Sequence, residues 1–427
     1  MLRGHTFSRF IRSTQNNPFN VIYFLFYAGC LTTLAMLLIN PDEALKVFIA
    51  CAVLSLPIIG KHSKSLLSDK KNLLLPVMLL LFGLVQIIWV EIFKAPGSSF
   101  TGAYRSYQNG GKVMIFAALI VTALQSPIAC AMKDRITRYW VIATAVGLYL
   151  FAGYQLLTSP DPLNYRVELG FEHPTGAAYA LTFVALLASQ AIINLRLKHT
   201  ILLYLLHFLV SLAVITITQT RAAILVYPVL SIGLFFLHYR HNRTVLLRTL
   251  LAFIVLAGLA AIPLKSVIEK RYNSFVTDMH SYSKNNSNTS IGARLAMQRA
   301  GIDAGKNHYW GQSLEQRDAG MRDFARQDTS LRGALGFVDI HLHNEFIDTF
   351  SLKGISGVIA LLFLYLTMFL KAYTQRSPLL FIISSAIVIY GLSDLLLYAK
   401  GETLSSMLAL CAAMMLTPGT MRELCHD

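Results

Sequence analysis

Near its C-terminal third the chain reads His341-Leu342-His343-Asn344-Glu345. Imidazole titrates near neutrality, so a histidine here suits a general base that takes a proton from a hydroxyl. Two histidines and a carboxylate also raise the question of a metal site. That reading is disfavoured because residues two apart face away from each other on a helix, and no further histidine cluster completes a ligand set. The plain structural alternative is a histidine resting at a membrane interface.

Three other places carry ionisable groups in unusual company. Thr218-Gln219-Thr220-Arg221 falls between two apolar runs with almost no room for a loop. A tight turn there would present Arg221 beside hydroxyl and amide groups, and a guanidinium binds phosphate oxygens in a bidentate fork. The alternative is an arginine that only snorkels to the headgroups. Arg294, in Gly292-Ala293-Arg294-Leu295-Ala296, is expected in the first turn of an external helix, where the helix dipole also favours an anion. Its alternative is an ordinary exposed arginine. Asp394, in Gly391-Leu392-Ser393-Asp394, is expected near the outer end of an apolar span, paired with an arginine or orienting His343. Arg166 and Arg105, in other external loops, are weaker candidates of the same kind.

Several constellations are missing. There is no Gly-rich phosphate loop, no Ser nucleophile elbow and no paired acidic motif for a divalent metal with a nucleotide-sugar. Nor are charges spread through the spans, as many ion-coupled transporters require.

The elements that position these groups follow from composition. Of 427 residues, 55% are hydrophobic and only 14% charged, against about 25% in a soluble domain. Mean hydropathy is +0.54. A cytoplasmic globular enzyme and a disordered chain are both excluded. The apolar residues come in long runs, each near the ~20 residues that cross a bilayer. Twelve spans are expected, at 19–39, 43–60, 72–93, 112–131, 138–157, 174–194, 200–218, 221–239, 245–264, 354–373, 377–398 and 402–417. The first run is too long for a cleaved signal and lacks a small-x-small site. Cys30, Cys51, Cys130, Cys411 and Cys425 lie outside the one long hydrophilic segment and are expected to behave as small apolar residues.

The net charge of +15 is mostly topological. Arg3, Arg9 and Arg12; Lys61, Lys64, Lys70 and Lys71; Lys133, Arg135 and Arg138; Arg196 and Lys198; Arg240, Arg243 and Arg248; and Lys371 and Arg376 all fall on one side if twelve spans are correct. The positive-inside rule then puts both termini in the cytoplasm. A nucleic-acid partner is not implied, and membrane lipids are. Three segments follow: a membrane domain over 1–264, an external loop over 265–353, and a membrane domain with a cytoplasmic tail over 354–427. Within the loop, Ile291–Ala304 reads as an amphipathic helix, Ser313–Leu331 as a second, and Ser283–Ser290 as a connector. Tyr272, Phe275, Tyr282, Tyr309, Trp310, Phe324, Leu331, Leu335 and Phe337 are expected to anchor its packing.

This pattern resembles the WaaL-type O-antigen ligases over nearly the whole chain. The most specific part is His343-Asn344, nine residues, then Gly354-Ile355-Ser356-Gly357. The segments at Arg221 and Arg294 are similar to the family's two arginine motifs. Gly391-Leu392-Ser393-Asp394 is similar to its last acidic motif, and Thr175-Gly176-Ala177-Ala178 also matches. The resemblance implies an all-α polytopic fold of the glycosyltransferase-C-like kind, with a helical periplasmic loop, in the inner membrane of a Gram-negative bacterium. It implies a donor of O-antigen polysaccharide on undecaprenyl diphosphate and a lipid A-core acceptor. Transfer would be inverting, without metal or other cofactor.

In that setting His343 would be the base. Arg221 and Arg294 would bind the diphosphate with Thr220 and Gln219, and Asp394 would hold the imidazole or an arginine. His341, Asn344, Arg166 and Arg105 would support the site or its acceptor side. O-antigen polymerases share the architecture, but the His-Asn and Gly-x-x-Gly spacing favours a ligase. A lipid-linked polysaccharide transporter would place its arginines near the midplane rather than at one face.

Overall fold

The computed structural model describes residues 18–68, 70–126, 135–162, 164–261, 265–337 and 341–417. Arg3, Arg9, Arg12, Cys130, Lys133, Cys425, and the ends of the expected spans at 127–131 and 262–264 lie outside the described residues. In chain order the helices are α1 (Pro18–Met36), α2 (Pro41–Ser68), α3 (Lys70–Phe93), α4 (Thr101–Ala123), α5 (Arg135–Thr158), α6 (Pro174–Leu195), α7 (Thr200–Ile217), α8 (Arg221–Tyr239) and α9 (Arg243–Ala261). Then come α10 (Lys265–Ser283), α11 (Ser290–Lys306), α12 (Leu314–Gln327), a 3-10 helix (Thr329–Phe337), α13 (Glu345–Thr374), α14 (Pro378–Gly391) and α15 (Lys400–Leu416). There is no strand among the described residues.

Eight of these helices (α1–α3, α5–α8 and α13) are long and apolar enough to cross a membrane. The other four expected spans correspond to α4, α9, α14 and α15; α14 and α15 have only 14 and 17 residues. The chain is an all-α multi-pass membrane protein. Most of these helices bury one face and leave the other apolar and exposed, as Leu150, Leu157 and Leu225 do. Helix α6 differs, because its apolar stretch is entirely buried. A helix hydrophobic all round belongs inside a bundle, and its Gly176, Ala177, Ala178, Ala180, Ala185 and Ala188 admit close neighbours. Cys30, Cys51 and Cys411 are buried, unpaired thiols.

Four sequence expectations need correction. Helix α4 starts at Thr101, not 112, and ends at Ala123. Its polar first half is helical because Tyr104 and Tyr107 are buried against protein groups rather than lipid. Helix α14 ends at Gly391, so 392–399 is irregular and Asp394 sits in it. Lys371 is 3% exposed and bonds Asn72 and Gln125, so it is a buried polar contact instead of a loop cation. The second external helix stops at Gln327, where Asp328 turns extended and a 3-10 segment follows.

The external helices form their own core. Ala296, Met297, Ala300 and Ala304 of α11 pack on Met321 and Ala325 of α12, with Leu331 and Leu342. Of the expected anchors, Leu331 is buried there, whereas Tyr272, Phe275, Tyr309 and Trp310 are exposed. Thr289 caps α11 and Ser313 forms a capping box on α12.

This layer docks on a break in α13. Gly354 has φ +66°, and two bonds pin the chain around it: Ile355 N to Tyr309 O at 2.9 Å and Gln312 N to Leu352 O at 2.9 Å. A Cβ on Gly354 would lie 2.1 Å from Tyr309 O. The glycine therefore serves both a left-handed backbone and a close approach. Gly354→Ala is expected to lower the thermal unfolding temperature of the purified protein through a loss of at least ~1–3 kcal/mol. An unchanged temperature would contradict this account of the kink.

Candidate active site

The segment 341–343 is neither helix nor strand, and its side chains divide between two sides. Leu342 is fully buried and enters the core of the external helices, where a Cβ on Gly301 would already touch it. His341 and His343 point the other way, their ring centroids 4.5 Å apart. The expectation that residues two apart would diverge assumed a helix, and the backbone here is not one. His343 has φ +50°, a left-handed conformation uncommon outside glycine and found at functional sites.

Both rings meet one carboxylate oxygen. His341 Nε2 lies 2.8 Å and His343 Nδ1 3.1 Å from Asp394 Oδ1. The side chains of His341, His343 and Asp394 are 17%, 18% and 13% exposed. Burial works against the Asp394 charge, but the two imidazoles outweigh it and hold the carboxyl well below the usual carboxylate range. The ionised carboxylate only accepts, so both ring nitrogens facing it carry hydrogens. In neutral His343 this leaves Nε2 as the basic nitrogen, with no partner among the described residues.

The two histidines differ in proton affinity. Burial opposes the charge on His341, but Asp394, followed by Asp348 and Glu402, raises it above the ordinary histidine value. For His343 burial prevails over Asp394, with help from the charges of His341 and Arg294, and its value falls. One proton therefore favours His341, and His343 stays neutral. Environments that split a pair of like groups assign their roles. The three side chains also offer ligand atoms within 4.8 Å of one another, a spacing that could hold a cation. The same atoms are already at hydrogen-bond distance, so their convergence needs no ion to explain it.

Other residues hold this arrangement. Asn344 caps α13 by accepting from Phe346 N and Ile347 N, and it donates to Leu392 O at 3.0 Å. Glu345 accepts from Leu397 N at 2.9 Å and from the Tyr365 hydroxyl at 3.0 Å. Gln86 donates to Leu397 O at 2.8 Å. Tyr179 of α6 contacts Ser393 through its hydroxyl at 3.4 Å and stacks on Tyr390.

The arginines are placed unequally. Arg294 is half-buried, acts electrostatically on His343 and has no carboxylate partner among the described residues. It is the fifth residue of α11, one position beyond the first turn, because the cap falls on Thr289. Arg221 opens α8 and pairs with Asp278 of α10 at 3.8 Å. The turn before it has Gln219 at φ +53°, with Gln219 Nε2 donating to Tyr165 O at 3.3 Å. Arg166 Nε donates to Thr218 O at 3.1 Å, and Thr220 Oγ1 reaches Pro174 O at 3.4 Å. Gln219, Thr220 and Arg166 thus brace the Arg221 turn against the N-terminus of α6. Arg105 is exposed on α4.

Sequence reasoning missed Tyr107, Tyr179, Arg317, Asp348 and Lys353. The available signals were weak: an acidic pair at 345 and 348, and Lys353 before the kink, in a helix otherwise apolar.

Comparison with known proteins points to one family. A family described as O-Antigen ligase matches residues 206–362, which run from α7 through the external helices into α13. An O-antigen ligase of Escherichia coli (strain K12) is 31% identical over 382 residues, covering 89% of this chain and 90% of that protein. An uncharacterised protein of Haemophilus influenzae is 26% identical over 272 residues, covering 62% and 65%. The likeness to the Escherichia coli protein covers nearly nine-tenths of each chain, and this chain belongs to the O-antigen ligase family of glycosyltransferase-type enzymes.

Proposed function

We propose that the protein transfers O-antigen polysaccharide from undecaprenyl diphosphate to a sugar hydroxyl of lipid A-core, at the periplasmic face of the inner membrane. The observation that carries this reading is His343, held at Nδ1 by Asp394 and leaving Nε2 without a partner among the described residues. Nε2 takes the proton of the acceptor hydroxyl as its oxygen attacks the anomeric carbon. The new bond joins that carbon to the acceptor, and the bond to the diphosphate breaks on the opposite face, inverting the centre. Undecaprenyl diphosphate leaves with the electron pair.

Charge grows on the leaving group, and fixed cations favour that transition state over the ground state. Among the described residues Arg294 has no competing carboxylate, and Arg221 has only the loose contact to Asp278. Together they supply the countercharge that a metal ion supplies in other transferases. When His343 gains its proton, Asp394, at 3.1 Å from its Nδ1, stabilises the imidazolium. The other ring nitrogen of His341, Nδ1, is buried, so the acceptor's proton goes to His343 Nε2. Lys61, Arg196 and Arg240 fall at or near the ends of α2, α6 and α8, and the positive-inside rule supports a cytoplasmic side for them and an outer side for this site.

Transfer between two defined lipids by the reconstituted protein tests this. His343→Ala is expected to lower kcat by about 10²–10⁴-fold while the protein remains folded. Activity should fall as pH drops through the His343 titration, so the acid limb should have its midpoint below the ordinary ~6.5. An acid limb centred above 7, or full activity of the alanine variant, contradicts the base role.

Arg294→Lys and Arg221→Lys keep the charge but lose the fork. Each is expected to reduce donor kcat/KM by about 10-fold or more, as loss of a hydrogen bond to a charged group of ~1.5–3 kcal/mol requires. Full activity in both would overturn bidentate diphosphate recognition, and loss of activity in a chelator, restored by a divalent ion, would overturn the metal-free reaction. Transfer to a second lipid-linked chain in preference to lipid A-core would make the enzyme a polymerase.

A further inference from the structure

Below the histidines lies a buried ionic cluster that the reaction itself does not use. Arg317 of α12 and Asp348 of α13 form an ion pair at 2.9 Å, each side chain only 1% exposed. Asp348 Oδ1 also accepts from the backbone N of Leu342 at 3.2 Å, the amide between the two histidines. Its Oδ2 accepts from the Tyr107 hydroxyl of α4 at 2.5 Å. Lys353, one turn on, is 4% exposed, with its ammonium 4.3 Å from the Tyr107 ring centre and 5.1 Å from that of Trp89.

Such a cluster is a poor device for stability. Removing two charges from water costs several kcal/mol per ion, and apolar replacements of similar volume are often as stable or more so. What it does supply is direction. Three donors from α4, α12 and the 341–343 segment converge on one carboxylate, so its position is set from three sides. That carboxylate in turn fixes the peptide from which both imidazoles hang. Leu342 is also locked by its side chain in the external core, which leaves the segment little freedom to rotate.

Resting on the reading of His343 as the base, we infer that Tyr107, Arg317 and Asp348 are positioning residues, which set the register of the 341–343 segment and so hold both histidines on Asp394. The cluster ties the external layer, through Arg317, and the membrane helix α4, through Tyr107, to one point beside the reacting groups.

The test uses the full-length protein in lipid nanodiscs. Tyr107→Phe removes one donor and keeps the ring under Lys353, and Arg317→Lys keeps the charge but not the fork. Both are measured for kcat and for KM of each lipid per folded molecule, with unfolding temperature and the ¹⁵N signals of labelled histidines. We expect kcat to fall about tenfold in each, KM to stay within about twofold, and the signals of His341 and His343 to shift. A lower unfolding temperature with wild-type kcat and unshifted histidine signals would reduce the cluster to a structural role and overturn the inference. A fall in kcat with unshifted signals would also overturn it, since the cluster would then act elsewhere. If Arg317→Lys fails to fold, Tyr107→Phe decides alone. The base reading is judged separately by the activity of His343→Ala, whereas the histidine signals report position whatever that result is.

Discussion

Two stretches of irregular backbone, 341–344 and 392–399, are partly buried against the helices, and each polar group buried there must find a partner. The first turn of α13 meets that demand for both. Asn344 holds Leu392 O, Glu345 holds Leu397 N, and Asp348 holds Leu342 N. The same turn therefore fixes the segment that carries the histidines and the segment that carries Asp394. Without these three side chains neither irregular stretch could be buried, and the two halves of the site would not meet.

The break at Gly354 is part of the same solution. An uninterrupted α13 would carry Glu345, Asp348 and Lys353 straight along a lipid-crossing axis, where ionised side chains are costly. The left-handed glycine redirects the first turns and lets the 309–312 loop dock at the break. The polar turns end up covered by α3, α4 and α12, supplied with an aromatic floor from Trp89 and Tyr107. Electrostatics inside this region are strong because water is sparse. Around one shared carboxylate, unequal surroundings can therefore raise the proton affinity of His341 and lower that of His343. The external helices are coupled to that partition, since Arg294 of α11 contributes to keeping His343 neutral and Arg317 of α12 pairs with Asp348.

Much of this was legible in the amino-acid order. Long apolar runs require membrane helices, because backbone groups in lipid must be satisfied within the segment. The one polar stretch had to fold outside the bundle, and its helix boundaries follow its caps and periodicity. The residue types at 294, 343 and 394 stood out because ionisable groups are rare near spans. What the order of residues could not convey was how these groups meet. Helical geometry argues against His341 and His343 sharing a ligand, yet the irregular backbone at 341–344 turns both rings to Asp394, and only the alternation of Leu342 between two histidines hints at it. Asp394 was assigned to a span end, but it sits beyond the helix in a segment whose folding depends on a residue about fifty positions earlier.

Local sequence, then, determined the class of protein, the helices and the identity of the reactive side chains, because hydrophobicity and ionisability belong to single residues and short runs. Tertiary structure alone decided the rest. It decided which histidine binds a proton more tightly, which arginine has no carboxylate partner among the described residues, and how Tyr107, Arg317 and Asp348 meet. Those outcomes depend on burial and on charges brought together from distant segments. Proton affinity and ion pairing are set by distance in space, and no spacing along the chain encodes that distance.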